Sequence, residues 1–458
     1  MYAPDSRELS EPPLCVDLDG TLVRTDMLVE TFVAAVKRSP AGALLASLAL
    51  VRGRPSLKAA LAERGDVDVA TLPYNEPLVA RLRDEHRRGR AIYLATASHE
   101  TVAHRIAAHL GVFTGVIATR GDQNLKGESK ARALVERFGE KGYDYVGEDR
   151  HDVPAWRHAR EAIVSKPPGG GAWPVFRAIR AYQWTKNLLV FVPLLAAHRL
   201  DTAAISAAAL AWLAFSLAAS AIYLGNDILD LQDDRRHPGK RRRALAAGDM
   251  PLVVGLALAP LLLIGAAAIC AFLPPGFGQL VAAYVVVNVA YSTELKKVPV
   301  LDVMILGGLY TMRILAGAAA IDVPVSHWML GFSLFMFLSI ALAKRYVELD
   351  GAAREQRVVG GRGYVAGDMP VLLALGVASG CLSVLIFALY ITSPQVTVLY
   401  RRPEILWFAV PVMQYWVARV WFLTRRGELH DDPLIFALRD IPSYVVAGLV
   451  GLAVAAAA

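Results

Sequence analysis

The sequence GNDILDLQDDRRHPGKRRR, residues 225–243, directly follows an apolar run over residues 203–224. Four of its amide and acidic side chains fall at relative positions zero, one, four and eight: Asn226, Asp227, Asp230 and Asp234. A continued helix would align these groups along one face, where like charges repel one another. Mg²⁺ held by a few carboxylates and substrate phosphates would relieve that repulsion. We therefore predict a Mg²⁺-dependent phosphate site here, because a solvated loop would not need Asn and Asp at an apolar boundary.

The composition indicates a membrane protein. Of the 458 residues, 55% are hydrophobic and 19% are charged, with a mean hydropathy of +0.40. These values are too apolar for a soluble or a disordered chain of this size. Long apolar stretches recur over residues 188–197, 203–224, 252–273, 280–291, 300–321, 328–343, 371–391, 405–423 and 444–457. They predict nine transmembrane helices, of which the first and fourth need flanking residues to reach a span of about 20.

The domain boundaries follow from a shift in composition. Residues 1–165 mix charged and apolar residues as a soluble α/β domain does, and their longest apolar run, 41–51, is too short to cross a bilayer. Residues 166–174 are rich in Pro and Gly, which no helix or strand interior would carry. We therefore predict a soluble domain over 1–165, a linker over 166–176 and a membrane domain over 177–458.

The loops between the predicted helices indicate the orientation. The N-terminus lacks the basic and apolar regions of a secretory signal, so we expect the soluble domain in the cytoplasm. On that side the loops are rich in Lys and Arg, whereas the opposite loops carry only Arg199, Arg401 and Arg402. This bias predicts a multi-pass protein of the inner (plasma) membrane with its N-terminus inside. The net charge of +7 therefore does not indicate nucleic-acid binding.

Two carboxylates follow a short apolar strand in the N-terminal domain. The stretch LCVDLDGT, residues 14–21, places Asp17 and Asp19 two residues apart at the predicted strand end. Alternation sends both side chains to the same side of the chain. One carboxylate can then attack phosphorus while the other transfers a proton to the leaving group. This pattern predicts phosphoryl-transfer chemistry.

This motif resembles the first motif of the haloacid dehalogenase superfamily, in the form that its phosphatases carry. Later segments agree in order: an apolar strand ending at Thr96, Lys130 near the start of a helix, and an acidic stretch over 147–152. The resemblance implies that Thr96 and Lys130 bind phosphate. It implies a Mg²⁺ site formed by Asp17, Glu148, Asp149 and Asp152. It also implies a Rossmann-like α/β fold with a helical cap over residues 27–90.

Glu148 stands where the superfamily usually has Asp. A longer carboxylate could shift the metal or weaken the enzyme. Two interpretations therefore stay open: an active phosphatase, which we favour, and a degenerate domain that serves only for docking.

The pattern NDxxDxxxD after an apolar helix resembles the UbiA superfamily of intramembrane prenyltransferases. Its extension HPxKxxR is similar to the branch of decaprenyl-phosphate phosphoribosyltransferases, which join a polyprenyl phosphate to 5-phosphoribosyl diphosphate and release pyrophosphate. The segments QWTKN at 183–187, YSTELKKVPVLDV at 291–303 and RILAG at 313–317 agree with that branch. The resemblance implies substrate contacts at Lys186, Asn187, His237, Lys240, Arg243, Tyr291, Lys296, Asp302 and Arg313.

The predicted sixth helix departs from the ordinary pattern of the superfamily. Other members have a second Asp-rich motif there, which helps to hold a prenyl diphosphate. Here residues 342–349 are LAKRYVEL, so Lys344 and Arg345 replace most of the acids. One carboxylate cluster with many cations suits a substrate pair with more phosphates. Arg313 lies within an apolar helix, where a charge indicates a functional role.

These features predict a glycosyl transfer. Mg²⁺ on the Asn226–Asp234 stretch would draw charge from the leaving pyrophosphate, while Lys and Arg hold the other phosphates. Asp302 is a candidate to orient a ribose hydroxyl. The fused domain would then remove the 5-phosphate from the lipid product, favoured by its local concentration.

Two other functions remain open. One is a UbiA-type prenyltransferase that joins a prenyl diphosphate to an aromatic or lipid acceptor, which Lys344 and Arg345 disfavour. The other is a transporter or inactive scaffold, which the cluster of Asp, Lys and His disfavours. The expected partners are phosphoribosyl diphosphate, a polyprenyl phosphate and the membrane, without nucleic acid; a homo-oligomer is compatible with the sequence.

Overall fold

The structure is a computed structural model that describes residues 11–121, 123–148, 150–166, 171–354, 363–394, 396–429, 433–437 and 439–458. The chain forms two compact units. Unit 1 comprises Met1–Arg180 and Tyr223–Pro260, and unit 2 comprises Ala181–Ile222 and Leu261–Ala458. Residues 223–260, which the sequence analysis assigned to the membrane domain, thus pack with the N-terminal α/β domain. Four residues of the predicted linker, 167–170, lie outside the described part of the chain.

A parallel sheet organises the N-terminal domain. Its five strands in the described residues are β1 Leu14–Val16, β2 Ile92–His99, β3 Gly115–Thr119, β4 Asp144–Gly147 and β5 Ala162–Val164. Their spatial order is β3-β2-β1-β4-β5, and all neighbours are parallel. The side chains of β1 are fully buried because helices cover both faces of such a sheet. The carboxyl ends of β1, β2 and β4 therefore meet at one edge, the usual place for a ligand in this architecture.

The helices of the N-terminal domain connect the strands and supply the region predicted as a cap. They are α1 Met27–Arg38, α2 Pro40–Ser47, α3 Arg54–Arg64, α4 Glu76–Arg87, α5 Glu100–Leu110, α6 Glu128–Phe138 and α7 Val153–His158. Helix α8 Ala172–Ala178 follows β5 and lies partly in the predicted linker, where no helix was expected; Pro174 is tolerated because it falls in the first turn. Short 3₁₀ segments lie at Leu48–Arg52 and Val69–Thr71. Asp26 caps α1 by accepting hydrogen bonds from the backbone of Leu28 and Val29. Helices α1, α2 and α3 pack on one another through Ala35, Ala43, Ala46 and Leu61.

The remaining chain is almost entirely helical. Its helices are α9 Val192–Ala196, α10 Thr202–Leu229, α11 Leu231–Arg236, α12 Leu252–Cys270, α13 Pro275–Thr293, α14 Leu301–Ala320, α15 His327–Arg354, α16 Met369–Ile391, α17 Val396–Leu399, α18 Ala409–Arg426, α19 Pro433–Ala437 and α20 Ile441–Ala457. Further 3₁₀ segments lie at Ala181–Phe191, Lys240–Arg242, Leu295–Lys297, Ala366–Asp368 and Pro403–Phe408.

Six helices in the described residues are long and apolar enough to cross a membrane. They are Thr202–Leu229, Leu252–Cys270, Leu301–Ala320, His327–Arg354, Ala366–Ile391 and Pro403–Arg426. The first predicted span instead falls on the 3₁₀ segment Ala181–Phe191 and the five-residue helix α9, which begins next to Pro193. Helix α13 is 19 residues long, but its sequence is less apolar, and α20 has 17 residues. The prediction of nine membrane helices is therefore not confirmed, whereas a multi-pass membrane protein is.

Close helix packing in unit 2 depends on small residues. A Cβ at Gly307 in α14 would lie 3.1 Å from the backbone nitrogen of Leu338 in α15. Gly376 in α16 lies against the Trp421 ring of α18, where there is no room for a side chain. Small residues allow helices to approach in this way where apolar burial does not drive their association.

Candidate functional site

The first candidate site is a cavity of about 820 Å³ in unit 1, at the carboxyl edge of the sheet. Its polar lining includes Asp17, Asp19, Lys58, Ser98, Lys130 and Glu148. Asp17 follows β1, whereas Lys130 lies in the first turn of α6. The topology thus brings together all four of the motif segments that the sequence places far apart. Thr96 is fully buried and accepts a hydrogen bond from the backbone of Ser98, whose hydroxyl lines the cavity in its place.

Lys130 organises the carboxylates of this cavity. Its Nζ lies 2.6 Å from Asp17 Oδ1 and 3.4 Å from Asp152 Oδ1. Tyr145 donates its hydroxyl to Asp152 at 2.9 Å. Burial alone would lower the pKa of Lys130, but the two carboxylates raise it above its ordinary value. Lys130 therefore stays charged and holds one oxygen of Asp17 in place.

Asp19 occupies a different environment. Its two oxygens accept hydrogen bonds from the Met27 backbone at 2.7 Å and the Ser98 hydroxyl at 2.8 Å. Burial raises the pKa of Asp19 to about 7, helped by the nearby Asp26 and Asp17 carboxylates. Burial also raises the pKa of Asp17, but Lys130 opposes that shift. Asp19 accepts from two neutral donors, so it is the better proton donor of the two.

Lys58 was not identified from the sequence. It lies on α3 and donates to the carbonyl of Ala97 at 2.5 Å and to Asn124 Oδ1 at 2.8 Å. Burial lowers the pKa of Lys58, although Asp19 and Asp26 oppose this shift. No motif marks this lysine, because only the packing of α3 against β2 brings it to the cavity.

The second candidate site, also in unit 1, is the acidic stretch at the end of α10. Helical hydrogen bonds continue through the break between α10 and α11, from Asp230 to Asn226 and from Asp234 to Asp230, both 2.8 Å. Asp227 and Asp234 are buried, while Asn226 and Asp230 are half-buried. The backbone hydrogen bonds that a continued helix needs are thus present here, although Asp230 itself lies in the break.

Arginine side chains face these acids. Arg243 Nη1 lies 3.0 Å from Asp227 and also pairs with Asp234. Arg180, which sequence reasoning missed, pairs with Asp227. Lys240 Nζ lies 3.8 Å from Asp234. In this site, each of the two buried carboxylates therefore pairs with two cationic side chains.

His237 shapes the loop that carries these cations. Its ring Nδ1 accepts from the backbone nitrogens of Gly239 at 3.2 Å and Lys240 at 3.3 Å. The structure therefore places this predicted substrate contact in the turn that presents Lys240.

A third cluster lies in unit 2 around Arg313. This buried side chain donates to Asn187 Oδ1 at 2.8 Å, the Leu309 carbonyl at 2.6 Å and the Tyr284 hydroxyl at 3.1 Å. Lys186 Nζ lies 5.9 Å from the centre of the Tyr310 ring, which Arg313 also contacts. The structure thus brings together the predicted residues Lys186, Asn187 and Arg313.

Arg345 and Asp302 form a separate buried pair. Both side chains are fully buried, and Arg345 Nη2 lies 2.6 Å from Asp302 Oδ2. Tyr364 donates its hydroxyl to the same aspartate. Asp302 thus neutralises Arg345, which gives the pair a structural role in addition to the predicted substrate contact. Lys344, Lys296 and Tyr291 are half-buried.

Comparisons with protein families identify both parts of the chain. The UbiA prenyltransferase family matches residues 188–439, which is more than half of the sequence. The chain belongs to the UbiA prenyltransferase family. The haloacid dehalogenase-like hydrolase family matches residues 14–157, so the N-terminal domain is haloacid-dehalogenase-like. The two resemblances inferred from short motifs are thus confirmed.

Three relatives show how far the UbiA similarity extends. The protein y4nM of Sinorhizobium fredii is 37% identical over 465 residues, covering 96% of this chain and 90% of that protein. Nodulation protein NoeC of Azorhizobium caulinodans is 34% identical, over 60% of this chain and 90% of its own. Decaprenyl-phosphate phosphoribosyltransferase of Mycobacterium tuberculosis is 37% identical over 42% of this chain and 66% of that enzyme. The y4nM alignment therefore extends over both domains of this chain.

Members of the UbiA and haloacid dehalogenase families generally use Mg²⁺. No group of three or more His, Cys, Asp or Glu side chains is arranged around a metal position in the described residues, and Asp149 lies outside them. Mg²⁺ needs only one or two carboxylates when substrate phosphates complete its shell. At the acidic stretch, Asp227 and Asp234 direct carboxylate oxygens at one cationic atom of Arg243. This donor set fits Mg²⁺.

The haloacid-dehalogenase-like cavity also has suitable donors. The Glu148 carboxylate lies against Gly20, where a Cβ would overlap it, next to the loop of Asp17 and Asp19. Asp152 instead accepts hydrogen bonds from Lys130, Tyr145 and the Glu148 backbone. Asp17 and Glu148 therefore fit Mg²⁺ better than Asp152 does.

Proposed function

We propose that this UbiA-family chain transfers 5-phosphoribose from phosphoribosyl diphosphate to a polyprenyl phosphate of the decaprenyl phosphate type and releases pyrophosphate. The similarity to decaprenyl-phosphate phosphoribosyltransferases supports the substrate pair. The observation that carries the proposal is the acidic stretch in which Arg243 faces both Asp227 and Asp234. A site that combines carboxylates and cations suits a donor with a diphosphate and a separate 5-phosphate.

The residues assigned to Mg²⁺ in this transfer are Asn226, Asp227, Asp230 and Asp234. Bound there with the donor diphosphate, the metal would neutralise charge on the leaving pyrophosphate. Arg180, Lys240 and Arg243 supply positive charge for the remaining phosphate oxygens. Because guanidinium groups bind phosphate with two parallel hydrogen bonds, Arg180 and Arg243 also orient the donor.

The reaction exchanges one bond at C1 of the ribose. An oxygen of the polyprenyl phosphate forms a bond to C1, and the bond from C1 to the diphosphate oxygen breaks. The lipid phosphate is already an anion at neutral pH, so the step needs no general base. We assign Lys186, Asn187 and Arg313 to phosphate binding, because they form a buried cationic cluster among aromatic rings in unit 2.

We propose that the N-terminal domain then removes the 5-phosphate. Asp17 attacks phosphorus, and Asp19 gives its proton to the departing oxygen of C5. Lys130 and Ser98 hold the phosphate oxygens. This assignment follows the different partners of the two carboxyls: Asp17 pairs with Lys130, whereas Asp19 accepts from the Ser98 hydroxyl and the Met27 backbone. The phosphate is released by water in a second step with Asp19 as base.

The location and domain boundaries belong to the same proposal. We place the chain in the plasma membrane with residues 1–165 in the cytoplasm, followed by the linker 166–176 and the transferase domain 177–458. The six candidate spans support a multi-pass arrangement. Both substrates' phosphates would then be bound on the cytoplasmic side.

The transfer can be tested with the purified full-length chain in lipid nanodiscs. Labelled phosphoribosyl diphosphate and decaprenyl phosphate should give a phosphoribosylated lipid, identified by its mass, together with pyrophosphate. Asp227→Asn should lower the rate by about 100-fold, the loss expected for a main charge-stabilising group. Asp233→Asn is the matched control, because Asp233 is exposed and pairs with Lys37, and it should stay within about twofold.

The two transferase functions differ in the donor substrate that the protein uses, so products formed from each donor distinguish them. A product formed from a prenyl diphosphate and an aromatic or lipid acceptor, with none from phosphoribosyl diphosphate, would replace our proposal with a prenyltransferase. Full turnover by Asp227→Asn would contradict the assignment of the acidic stretch.

A further inference from the structure

One segment of the cap exposes the residues that a soluble protein usually buries. In α2 and the following 3₁₀ segment Leu48–Arg52, the side chains of Leu44, Leu45, Leu48 and Val51 face outward, with Val51 90% exposed. The buried positions of α2 are the small residues Ala43 and Ala46. The outer surface of this segment is thus more apolar than its inner surface, the reverse of a surface helix in water.

Basic side chains flank this apolar segment. Arg38 precedes it, Arg52 is its last residue and Arg54 follows it, all exposed. Asp and Glu are absent from residues 31–62 of the sequence. An apolar surface bordered by Arg is the pattern of helices that lie in the headgroup region of an anionic bilayer.

The same segment lines the phosphatase-like cavity. Leu50 and Leu57 contribute apolar surface from the cap, and Leu252 and Val253 contribute it from the first turn of α12. Helix α12 is one of the six candidate membrane spans. A cavity that contains Asp17, Asp19 and Lys130 is therefore also bordered by the first turn of a candidate membrane span.

Specific contacts hold the α12 end of this lining in place. Arg24, next to the Asp17 loop, pairs with Asp249 at 2.8 Å. Gly248 has a positive φ of 70°, and a Cβ there would lie 2.7 Å from the Cβ of Arg24. Arg235 pairs with Glu30 of α1 at 2.5 Å, with both side chains almost completely buried. Residues 248–253 are thus a fixed wall of the cavity.

We infer that this cavity takes a phosphomonoester carried by a membrane lipid, and that residues 40–52 lie in the headgroup region of the bilayer beside its opening. The inference rests on the proposed phosphatase function, which already takes the lipid product as its substrate, and adds how that lipid reaches the cavity from the bilayer. A soluble sugar phosphate would gain nothing from Leu50, Leu57, Leu252 and Val253, whereas a lipid chain next to the phosphate would contact them.

Two substrates with the same headgroup test the inference in the full-length protein. The rate of phosphate release from synthetic decaprenyl-phosphoryl 5-phosphoribose in nanodiscs is compared with that from soluble ribose 5-phosphate. We expect the lipid to react at least about tenfold faster. The double variant Leu48→Glu with Val51→Glu should lose about tenfold on the lipid and stay within about twofold on ribose 5-phosphate, because neither residue lines the cavity. Val164→Glu, at an exposed apolar position on β5, is the control and should change neither rate.

Equal rates of lipid hydrolysis in the wild type and the double variant would overturn the inference while leaving the proposed phosphatase intact. Preference for ribose 5-phosphate would overturn it as well. A fluorophore on Val51→Cys, in a background with Cys270 and Cys381 replaced by Ala, should be quenched by lipids that carry a nitroxide near the headgroup. The same label on Val164→Cys should not be. If the protein hydrolyses neither substrate, the phosphatase function is contradicted. Absence of quenching at position 51 would by itself overturn the membrane contact.

Discussion

At the scale of single residues, the Asp19 carboxyl is protonated under conditions where an ordinary aspartate is ionised. Its pKa of about 7 results from burial and from the nearby Asp26 and Asp17 carboxylates. A raised pKa means that the proton is retained as the pH rises from 4 to about 7 and is lost above that value. Asp19 is therefore able to donate a proton near neutral pH.

This protonation predicts a pH dependence for the phosphatase step. With an alkyl phosphate such as ribose 5-phosphate, the rate should fall above about pH 7 because the leaving oxygen needs the proton of Asp19. With p-nitrophenyl phosphate, whose leaving group needs little protonation, the decline should be weaker. Initial rates from pH 5 to 9 measure both profiles. An equally steep decline with both esters, or one that persists in Asp19→Asn, would assign it to another group.

Arg243 and Arg345 show why predicted site residues can have different structural roles. Both cations were identified from motifs, and both lie next to acids in the structure. Arg243 is partly exposed beside Asp227 and Asp234, whereas Arg345 is completely buried against Asp302. The sequence contains the charges in both cases, but it does not show which pair excludes water. A cation that is 29% exposed can reach a substrate phosphate far more easily than one that is completely buried.

At the scale of elements, the ion pair between Glu30 of α1 and Arg235 of α11 joins residues 205 positions apart. Removing one partner from a buried pair leaves an unpaired charge and costs about 3–5 kcal/mol. Glu30→Ala should therefore lower the melting temperature and speed amide hydrogen exchange in α11 and residues 240–249. The matched control is Lys37→Ala, because the exposed Lys37–Asp233 pair contributes at most about 1 kcal/mol. Equal effects of the two variants would show that the buried pair does not hold this segment.

The elements also show what could be predicted from sequence. Motifs at strand ends predicted the α/β fold, because a parallel sheet always brings the carboxyl ends of neighbouring strands together. Asp227 and Asp234 were predicted to share a face because helical spacing is local. Lys58, Arg180 and the Glu30–Arg235 pair were missed, since their positions depend on packing between distant segments. The predicted number of membrane helices is not confirmed. In the first predicted span, residues 188–197 are apolar, but they form only the end of a 3₁₀ segment and a five-residue helix that begins next to Pro193.

At the scale of the whole molecule, one chain contains a UbiA-family domain and a haloacid-dehalogenase-like domain. If the transferase product carries a 5-phosphate, a phosphatase on the same chain meets it at a high effective concentration. The two reactions then proceed in sequence, and the chain releases a lipid-linked ribose without its 5-phosphate.

This order predicts the product of a selective variant. Asp17→Asn removes the proposed nucleophile, so 5-phosphoribosylated lipid should accumulate and phosphate release should fall by more than about 100-fold. Transfer from phosphoribosyl diphosphate should stay within about twofold of wild type, which also checks that the variant is folded. Mass spectrometry of the lipid fraction measures both products in one assay. Asp144→Asn, at a buried aspartate that pairs with Arg90 and Arg160 outside the cavity, controls for loss of a structural carboxylate. If dephosphorylated lipid still forms at the wild-type rate in Asp17→Asn, the N-terminal domain acts on some other phosphate.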